Sequence, residues 1–234
     1  MAWGDPTISV RGVSLETRYA GPSPSEAPTL VLLHEGLGSA GLWRDFPERL
    51  SKATGFGVAA YSRAGYGQSD PVSLPRPLDY MTREATQVLP HFLDAIGFKR
   101  GLLMGHSDGA TIAAIYAGSI EDFRVRGTIL MAPHFFTEEL GLTEIARARQ
   151  AYATTDLRAR MAKHHRDPDN AFRGWNDAWL DPGFRSWNVG DVIDYFRLPT
   201  LAIQGRQDQY GTLAQIAEVE TRSYAPVEVA VLED

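Results

Sequence analysis

The sequence predicts an α/β fold in which helices cover both faces of a mostly parallel, doubly wound sheet. The first sign is a set of continuous apolar runs, which are typical of strands covered on both faces. These runs lie at residues 29–33, 57–61, 101–104, 127–131, 200–203 and 227–232. The second sign is that helical patterns separate the runs, as crossover helices between parallel strands do. These patterns lie at residues 41–54, 79–96, 107–118 and 210–224.

Two shorter runs come before the first buried strand, at residues 7–10 and 13–19. In both runs apolar residues alternate with polar ones, so that each strand would be buried on one face only. We expect the two runs to pair as antiparallel strands at one edge of the sheet.

A long segment between the strands at 127–131 and 200–203 interrupts the alternation, because an ordinary crossover takes only about a dozen residues. Helical patterns occur within it at residues 143–152 and 157–165. It is rich in aromatic side chains, namely Phe172, Trp175, Trp179, Phe184, Trp187, Tyr195 and Phe196.

We interpret this segment as a helical cap folded over the carboxyl edge of the sheet. The predicted organisation is a core made of residues 1–136 and 198–234, with a cap of residues 137–197 inserted in it. Part of the aromatic content is expected to pack the cap against the core.

The composition is that of a folded protein, with 44% hydrophobic residues and a formal net charge of −6. No block of lysine or arginine stands out, so no nucleic-acid partner is expected. The chain has no cysteine, which excludes disulfides, a thiolate nucleophile and a cysteine-based zinc site. No stretch approaches the roughly 18 apolar residues of a membrane helix, and no signal-peptide pattern opens the sequence. We therefore expect a cytoplasmic protein that does not bind a membrane.

The strongest local signal is the sequence Gly-His-Ser-Asp-Gly at residues 105–109, which makes Ser107 the candidate nucleophile. It follows one of the apolar runs and opens a helical pattern. A serine on such a strand-to-helix turn takes a strained backbone conformation, and the flanking glycines let neighbouring backbone pass close by. The N-terminus of the helix would favour the negative charge that develops on a substrate oxygen.

Four segments, in order along the chain, resemble motifs of the α/β-hydrolase family. Residues 105–109 resemble its nucleophile elbow, and residues 32–39 (Leu-Leu-His-Glu-Gly-Leu-Gly-Ser) resemble the loop after its third strand. Residues 62–69 resemble its Arg-Gly-x-Gly-x-Ser turn, and residues 199–208 resemble the strand that supplies its catalytic acid. The likeness covers essentially the whole chain. It implies a serine hydrolase that requires neither a cofactor nor a metal.

Acyl transfer requires two backbone donors directed at the developing oxyanion. The resemblance implies that one donor is the amide of Asp108 and that the other is the amide of Gly36 or of Leu37. Glu35 stands where the family usually has glycine. Its carboxylate either binds a group of the substrate or forms a salt bridge pointing away from the site. The candidates for lining the pocket are His34, Glu35, His106, His134, Trp175 and Trp179.

The resemblance also assigns Asp208, at the end of a buried strand, as the acid that orients the catalytic histidine. That histidine is expected after the last strand, yet the sequence ends at Asp234 and none of its six histidines occupies the place. Three explanations compete: a chain cut short at its C-terminus, another histidine such as His134, or a fold used for binding without catalysis. We favour the first, because a core strand at the very end of a chain is unusual.

Two further patterns belong to rival interpretations. Residues 36–41 form a Gly-x-Gly-x-x-Gly, and Arg63 follows the next strand, where a dinucleotide fold would place a residue for a 2′-phosphate. This favours an NADP-dependent oxidoreductase, but His34 and Glu35 separate the strand from the glycines, and a lone glycine motif is weak. His164 and His165 are adjacent, so we interpret them as a solvated face of the cap rather than as metal ligands.

The sequence as a whole predicts a serine hydrolase that cleaves a carboxylic ester, or a related lactone, thioester or C–C bond, through an acyl-enzyme on Ser107. The aromatic cap favours a small apolar or aromatic substrate. The main alternative is a ligand-binding protein or receptor on the same fold, and the oligomeric state is not predicted.

Overall fold

The computed structural model describes residues 3–233, and in that range the chain forms one sheet of eight strands. The strands are β1 (Thr7–Val10), β2 (Val13–Ala20), β3 (Thr29–Leu33), β4 (Gly57–Tyr61), β5 (Gly101–His106), β6 (Val125–Met131), β7 (Thr200–Gly205) and β8 (Val227–Leu232). Their order across the sheet is β1-β2-β4-β3-β5-β6-β7-β8. The predicted fold class is confirmed.

Strand direction follows the two kinds of hydrophobic pattern. The alternating strands β1 and β2 pair antiparallel, and β2 pairs antiparallel with β4. The pairs from β4 to β8 are parallel. All five residues of β3 and all five of β4 are buried, because helices or further chain cover both faces there.

The helices in and around the core differ from the predicted ones mainly where proline or an unusual backbone angle intervenes. They are α1 (Phe46–Thr54), α2 (Tyr80–Arg83), α3 (Leu89–Ala95), α4 (Asp108–Ser119) and α8 (Ala214–Arg222). The pattern at 41–54 divides into a 3-10 turn and α1, because Arg44 between them takes a φ of 49°. The pattern at 79–96 is broken by a π-helical turn at Glu84–Val88, since Pro90 has no N–H to continue the ladder.

Between β6 and β7 the chain forms α5 (Glu139–Thr154), α6 (Leu157–Met161) and α7 (Pro168–Trp179), followed by two 3-10 segments. We call residues 132–199 the β6–β7 insertion. The helix α7 was not predicted, although the sequence carries its start signal. The side chain of Asp167 accepts a hydrogen bond from the Asn170 amide, and Pro168 occupies the first turn.

The helix α4, which follows Ser107, lies at the centre of the molecule. Its residues 108–117 are all buried, so it has no polar face. It packs against β5, β6 and the 3-10 segment Gly190–Tyr195 of the insertion. Because the helix is enclosed in this way, the position of its N-terminus is fixed. The N-terminus lies at the edge of the sheet where β3, β5, β6 and β7 end.

Candidate active site

Ser107 lies on the turn between β5 and α4, with φ 52° and ψ −120°. A non-glycine residue with positive φ is uncommon and is retained where the surroundings enforce it. Here the Ser107 amide donates to the Met131 carbonyl at 2.9 Å, and the Ser107 carbonyl accepts from the amides of Ala110 and Thr111. The serine is therefore held at the end of β5 with its side chain partly exposed.

The two glycines of the elbow are required by space. A Cβ on Gly105 would lie 2.1 Å from the Gly109 carbonyl oxygen, and a Cβ on Gly109 would lie 2.0 Å from the Leu33 carbonyl oxygen. Neither contact can be relieved by moving a side chain, because both partners are backbone atoms. The Gly-x-Ser-x-Gly spacing thus allows β3, β5 and α4 to converge under Ser107.

A cavity of about 170 Å³ opens beside Ser107. It brings together residues from the ends of β3, β5, β6 and β7 and from α7. The predicted residues among its lining are Glu35, Gly36, Leu37, His106, Ser107, His134, Trp175 and Asp208. Ala132 and Tyr210, which were not predicted, complete the lining. Ala132 directly follows β6, and Tyr210 lies two residues after Asp208. Their positions next to strand ends and predicted motifs were the sequence signal that could have identified them.

The loop after β3 (residues 34–39) is shaped from below by buried polar groups. We call it the oxyanion loop, after the role that the sequence predicts for it. The Arg63 amide donates to His34 Nε2 at 3.1 Å, so His34 Nδ1 carries the proton and donates to the Glu35 carbonyl at 2.7 Å. The Arg63 guanidinium donates to the carbonyls of His34 and Glu35. Burial, with the positive charge of Arg63, holds the pKa of His34 well below its usual value.

His34 therefore does not line the pocket, and that prediction is wrong. Its side chain is fully buried beneath the loop, where both ring nitrogens are occupied. The prediction failed because alternation along a strand end places a residue on one of two faces, and the sequence did not indicate which.

Trp175 of α7 covers the oxyanion loop from above. A Cβ on Gly36 would lie 2.2 Å from the Trp175 indole Nε1, so only glycine permits this contact. Trp179, one turn further along α7, does not reach the cavity lining, which corrects the prediction for it. Its indole N–H donates to the Tyr80 hydroxyl at 3.0 Å and its ring packs edge-on against His134 at 5.3 Å.

Glu35 points along the pocket rim towards His106. Its Oε2 lies 3.7 Å from His106 Nδ1, and both side chains are more than a third exposed. Burial would raise the pKa of the Glu35 carboxyl, but the His106 ring and the positive charge of Arg63 outweigh it and lower the pKa. The pocket rim therefore carries a carboxylate at neutral pH.

Asp108 follows Ser107, and its side chain is directed into the core. Its Oδ2 accepts from the Tyr80 hydroxyl at 2.5 Å and lies 3.7 Å from the Arg63 guanidinium, while Oδ1 has no partner among the described residues. Arg63 and Asp108 are both almost completely buried. The buried Glu84 nearby accepts from the Tyr61 hydroxyl at 2.7 Å.

Asp208 lies at the other side of the cavity, beyond β7. Its Oδ2 accepts from Gln204 Nε2 at 2.9 Å and its Oδ1 accepts from the Tyr210 amide at 2.8 Å. Across the described range, which includes all six histidines, none hydrogen-bonds to Asp208. His134 shares the cavity lining with Asp208, and burial lowers its pKa.

Within residues 3–233, no group of three or more histidine, aspartate or glutamate side chains is arranged to hold a metal ion. No helix in that same range has the length and apolar character needed to cross a membrane. A larger cavity of about 440 Å³ lies at the far end of α4, between residues 116–126 and 195–199. It contains neither the elbow nor Asp208, so chemistry and not size identifies the candidate site.

The dinucleotide interpretation loses the residue on which it depended. Arg63 is 1% exposed and is bound to backbone carbonyls, so its guanidinium does not face a ligand. The glycines at residues 36–41 lead into a 3-10 turn and not into the N-terminus of an α-helix.

Comparison with known proteins agrees with this architecture. Serine hydrolase BPHL of Mus musculus is 26% identical over 215 residues, a match that covers 86% of this chain and 69% of the mouse protein. Serine hydrolase BPHL of Homo sapiens is 31% identical over 134 residues, covering 56% of this chain and 44% of the human protein.

Among solved structures, a 2-hydroxy-6-oxo-6-phenylhexa-2,4-dienoate hydrolase from a Rhodococcus species shares the fold. Its TM-score is 0.79 at 18% sequence identity, covering 97% of this chain and 89% of that one. A family model described as the alpha/beta hydrolase fold matches residues 28–174, which is more than half of the chain. With the elbow, the parallel sheet and the strand order in place, this match establishes that the chain belongs to the α/β-hydrolase fold family and is a hydrolase.

Proposed function

We propose that this hydrolase cleaves a carboxylic ester, or a related lactone, thioester or C–C bond, through an acyl-enzyme on Ser107. The observation that carries the proposal is the position of Ser107. It lies on a turn with φ 52° at the N-terminus of α4 and opens on a cavity that the oxyanion loop also lines.

In the proposed reaction the Ser107 hydroxyl oxygen attacks the acyl carbon while a base takes its proton. The carbonyl oxygen becomes an oxyanion held by the amide of Asp108 and that of Gly36 or Leu37. Collapse of this intermediate breaks the bond to the leaving group, which receives the proton from the base. Water then attacks the acyl-enzyme by the same steps, releasing the acid and restoring Ser107.

The proposed base is a histidine that follows β8, oriented by Asp208, as the family resemblance implies. Asp208 supports this role because its carboxylate lines the same cavity as Ser107. The alternative base within residues 3–233 is His134, because it also lines the cavity. Neither of its ring nitrogens forms a hydrogen bond to another residue in that range.

The proposed substrate is small and apolar or aromatic. The cavity of about 170 Å³ has apolar walls from Leu37, Trp175 and Tyr210, which supports this choice. The Glu35 carboxylate at the rim excludes an anionic group at that position, because two like charges at such close range repel each other.

Hydrolysis of p-nitrophenyl esters of increasing acyl length by the full-length protein tests the proposal. We expect Ser107→Ala to reduce kcat/KM by at least about a thousandfold, because the bond-forming atom is removed. Ser119→Ala, at the exposed end of the same helix, is the matched control and should leave turnover unchanged. Equal turnover by Ser107→Ala and the parent would exclude the proposed nucleophile.

The identity of the base requires a separate measurement. Turnover by residues 1–234 is compared with turnover by the complete product of the gene, each with and without His134→Gln. Activity confined to the complete product supports the histidine after β8. Activity of residues 1–234 that disappears in His134→Gln assigns the base to His134, and a protein that binds the esters without turnover supports the binding alternative.

A further inference from the structure

His165 lies between α6 and α7 in the β6–β7 insertion and is 2% exposed. The prediction that it lies on a solvated face is therefore wrong, whereas its neighbour His164 is exposed. Its ring contacts two loops of the core. Nδ1 lies 2.9 Å from the Gly67 amide nitrogen, and Nε2 lies 3.1 Å from the Leu37 carbonyl oxygen.

The two partners determine the protonation state of the ring. A backbone amide only donates, so Nδ1 must offer a lone pair to Gly67. A carbonyl only accepts, so Nε2 must carry the hydrogen and donate it to Leu37. His165 is thus a neutral imidazole with its hydrogen on Nε2. Burial lowers its pKa, which is consistent with a neutral ring.

The contact with Leu37 bears on the oxyanion loop. The peptide unit that joins Leu37 to Gly38 is held at both ends, because its carbonyl accepts from His165 and its amide donates to the Glu35 carbonyl at 3.1 Å. Leu37 is one of the two candidate oxyanion donors, and its N–H belongs to the adjacent peptide unit. Fixing one peptide plane restricts the rotation of the next, so His165 limits the directions in which the Leu37 amide can point.

Other bonds attach the insertion to the core without touching this loop. The Arg166 amide donates to the Gly67 carbonyl at 2.9 Å. The Asn170 carboxamide accepts from the Val72 amide at 3.0 Å and donates to the Val72 carbonyl at 2.8 Å. Attachment of the insertion and contact with the oxyanion loop are therefore separable, and His165 alone of these residues does both.

We propose that His165 is a positioning residue, which as a neutral imidazole couples the seated β6–β7 insertion to the oxyanion loop and so orients the Leu37 amide. The catalytic consequence rests on the function proposed above, with Leu37 and not Gly36 as the second oxyanion donor. The structural coupling does not, and it can be measured without substrate.

Two isosteric substitutions separate the halves of the coupling. In His165→Asn the side-chain oxygen replaces Nδ1 and keeps the Gly67 bond, but nothing reaches Leu37. In His165→Gln the side-chain NH₂ replaces Nε2 and keeps the Leu37 bond, but the Gly67 amide loses its acceptor. A purely structural role as an attachment of the insertion predicts that Asn is tolerated at least as well as Gln.

We expect the opposite order. In the full-length protein His165→Asn should lower kcat by about tenfold or more with KM changed by less than about twofold, because a misdirected donor weakens binding of the transition state only. His165→Gln should stay within about threefold of the parent. Asn170→Ser is the matched control, for which we expect reduced stability with kcat retained. Asn and Gln variants of equal activity, or the reverse order, would overturn the proposal.

Amide hydrogen exchange and ¹⁵N NMR of the substrate-free protein give the independent readout. We expect the His165 ring to show the Nε2–H tautomer, and exchange at residues 36–38 to accelerate in His165→Asn but not in His165→Gln. A protonated ring or an Nδ1–H tautomer in the parent would refute the coupling even where a variant fails to fold. If the parent neither hydrolyses esters nor reacts at Ser107, the proposed function fails while the exchange data still decide the coupling.

Discussion

Two aspartates flank Ser107, one directly after it in sequence and one across the cavity, and the structure holds them in opposite ways. Asp108 belongs to what we call the elbow network, formed by His34, Arg63, Tyr80 and Asp108, whose members are all at least 95% buried. Asp208 belongs to what we call the acid corner, formed by Gln204, Asp208 and Tyr210, where Tyr210 is 40% exposed and Asp208 is partly exposed.

Because of this difference, the elbow network is rigid, whereas the acid corner can adjust. In the elbow network any displacement leaves a buried charge or a buried donor without its partner, which costs several kcal/mol. In the acid corner Gln204 is buried, but water can reach Asp208 and Tyr210 and replace a partner lost there, so movement of these two residues costs less. Ser107 and the oxyanion loop are therefore fixed by the fold itself, whereas Asp208 can adjust its position, as the role proposed for it would require.

The largest expected effect comes from removing the central cation of the elbow network. Arg63→Met leaves the Asp108 carboxylate and the carbonyls of His34 and Glu35 without their donor, so we expect the free energy of unfolding to fall by about 3–5 kcal/mol. Denaturant unfolding measures it. The matched control is Arg206→Met near the acid corner, where Arg206 is 53% exposed beside Glu233 and a loss within about 1 kcal/mol is expected. Equal losses would remove the distinction between the two regions.

The pH dependence of stability should follow the buried histidines. Burial lowers the pKa of His34, His134 and His165, so the unfolded chain binds protons that the native chain does not. Stability is complete above the unfolded pKa of about 6.5 and is lost as pH falls below it, by up to about 1.4 kcal/mol per pH unit for each group. Denaturant unfolding at two pH values on either side of that pKa measures the slope.

Substitution of one of these histidines provides the control for the slope. His134→Gln should reduce the difference in unfolding free energy between the two pH values, because one of the three groups no longer titrates. His91→Gln, at an exposed site on α3, should leave the difference unchanged. A slope insensitive to His134→Gln would mean that this ring takes up its proton equally well in the folded protein.

A smaller effect is expected from the hydroxyl that joins the elbow network to the insertion. Tyr80→Phe removes the bond donated to Asp108 and the bond accepted from Trp179, so we expect a loss of about 1–3 kcal/mol. In the control Tyr116→Phe, the partner Asp122 keeps its bonds from Arg124, and the loss should be below about 1 kcal/mol. Thermal unfolding of both variants compares them, and a larger loss for Tyr116→Phe would contradict the assignment.

The smallest effect on stability is expected at the acid corner. In Asp208→Asn the bond from the Tyr210 amide is retained. The Gln204 carboxamide, whose Oε1 has no partner among the residues described, can turn to accept from the new amide, at the expense of the bond that it donates to the Gly211 carbonyl. We expect a loss within about 1 kcal/mol. The same substitution at Asp108 leaves Arg63 without its nearest anion and should cost more than about 2 kcal/mol. Similar costs at the two aspartates would show that burial does not distinguish them.

The sequence predicts the strands and the elbow better than it predicts the directions of single side chains. The strand bounds at 29–33, 57–61 and 227–232 coincide with those of β3, β4 and β8. β3 and β4 are fully buried, and a strand covered on both faces needs an uninterrupted apolar run. β8 is the last strand of the sheet and none of its residues is buried, so its burial on both faces was not confirmed. The elbow could also be predicted. Its glycines are required by close backbone contacts, one within the elbow itself and one with the adjacent strand β3.

The direction of individual side chains could not be predicted from the sequence in this way. His34 and Trp179 were expected in the pocket, and His165 was expected in solvent. Each is fixed by a partner far along the chain, such as Leu37 for His165 at a separation of 128 residues and Tyr80 for Trp179 at a separation of 99. No local pattern records such a pairing.

The sequence by itself determined the class of fold, the order of its strands along the chain and the corner that bears Ser107, because these depend on periodicity and on the space that glycine leaves. The tertiary structure decided which polar groups are buried together and which meet solvent, because a hydrogen bond between distant segments exists only after the core has brought them together.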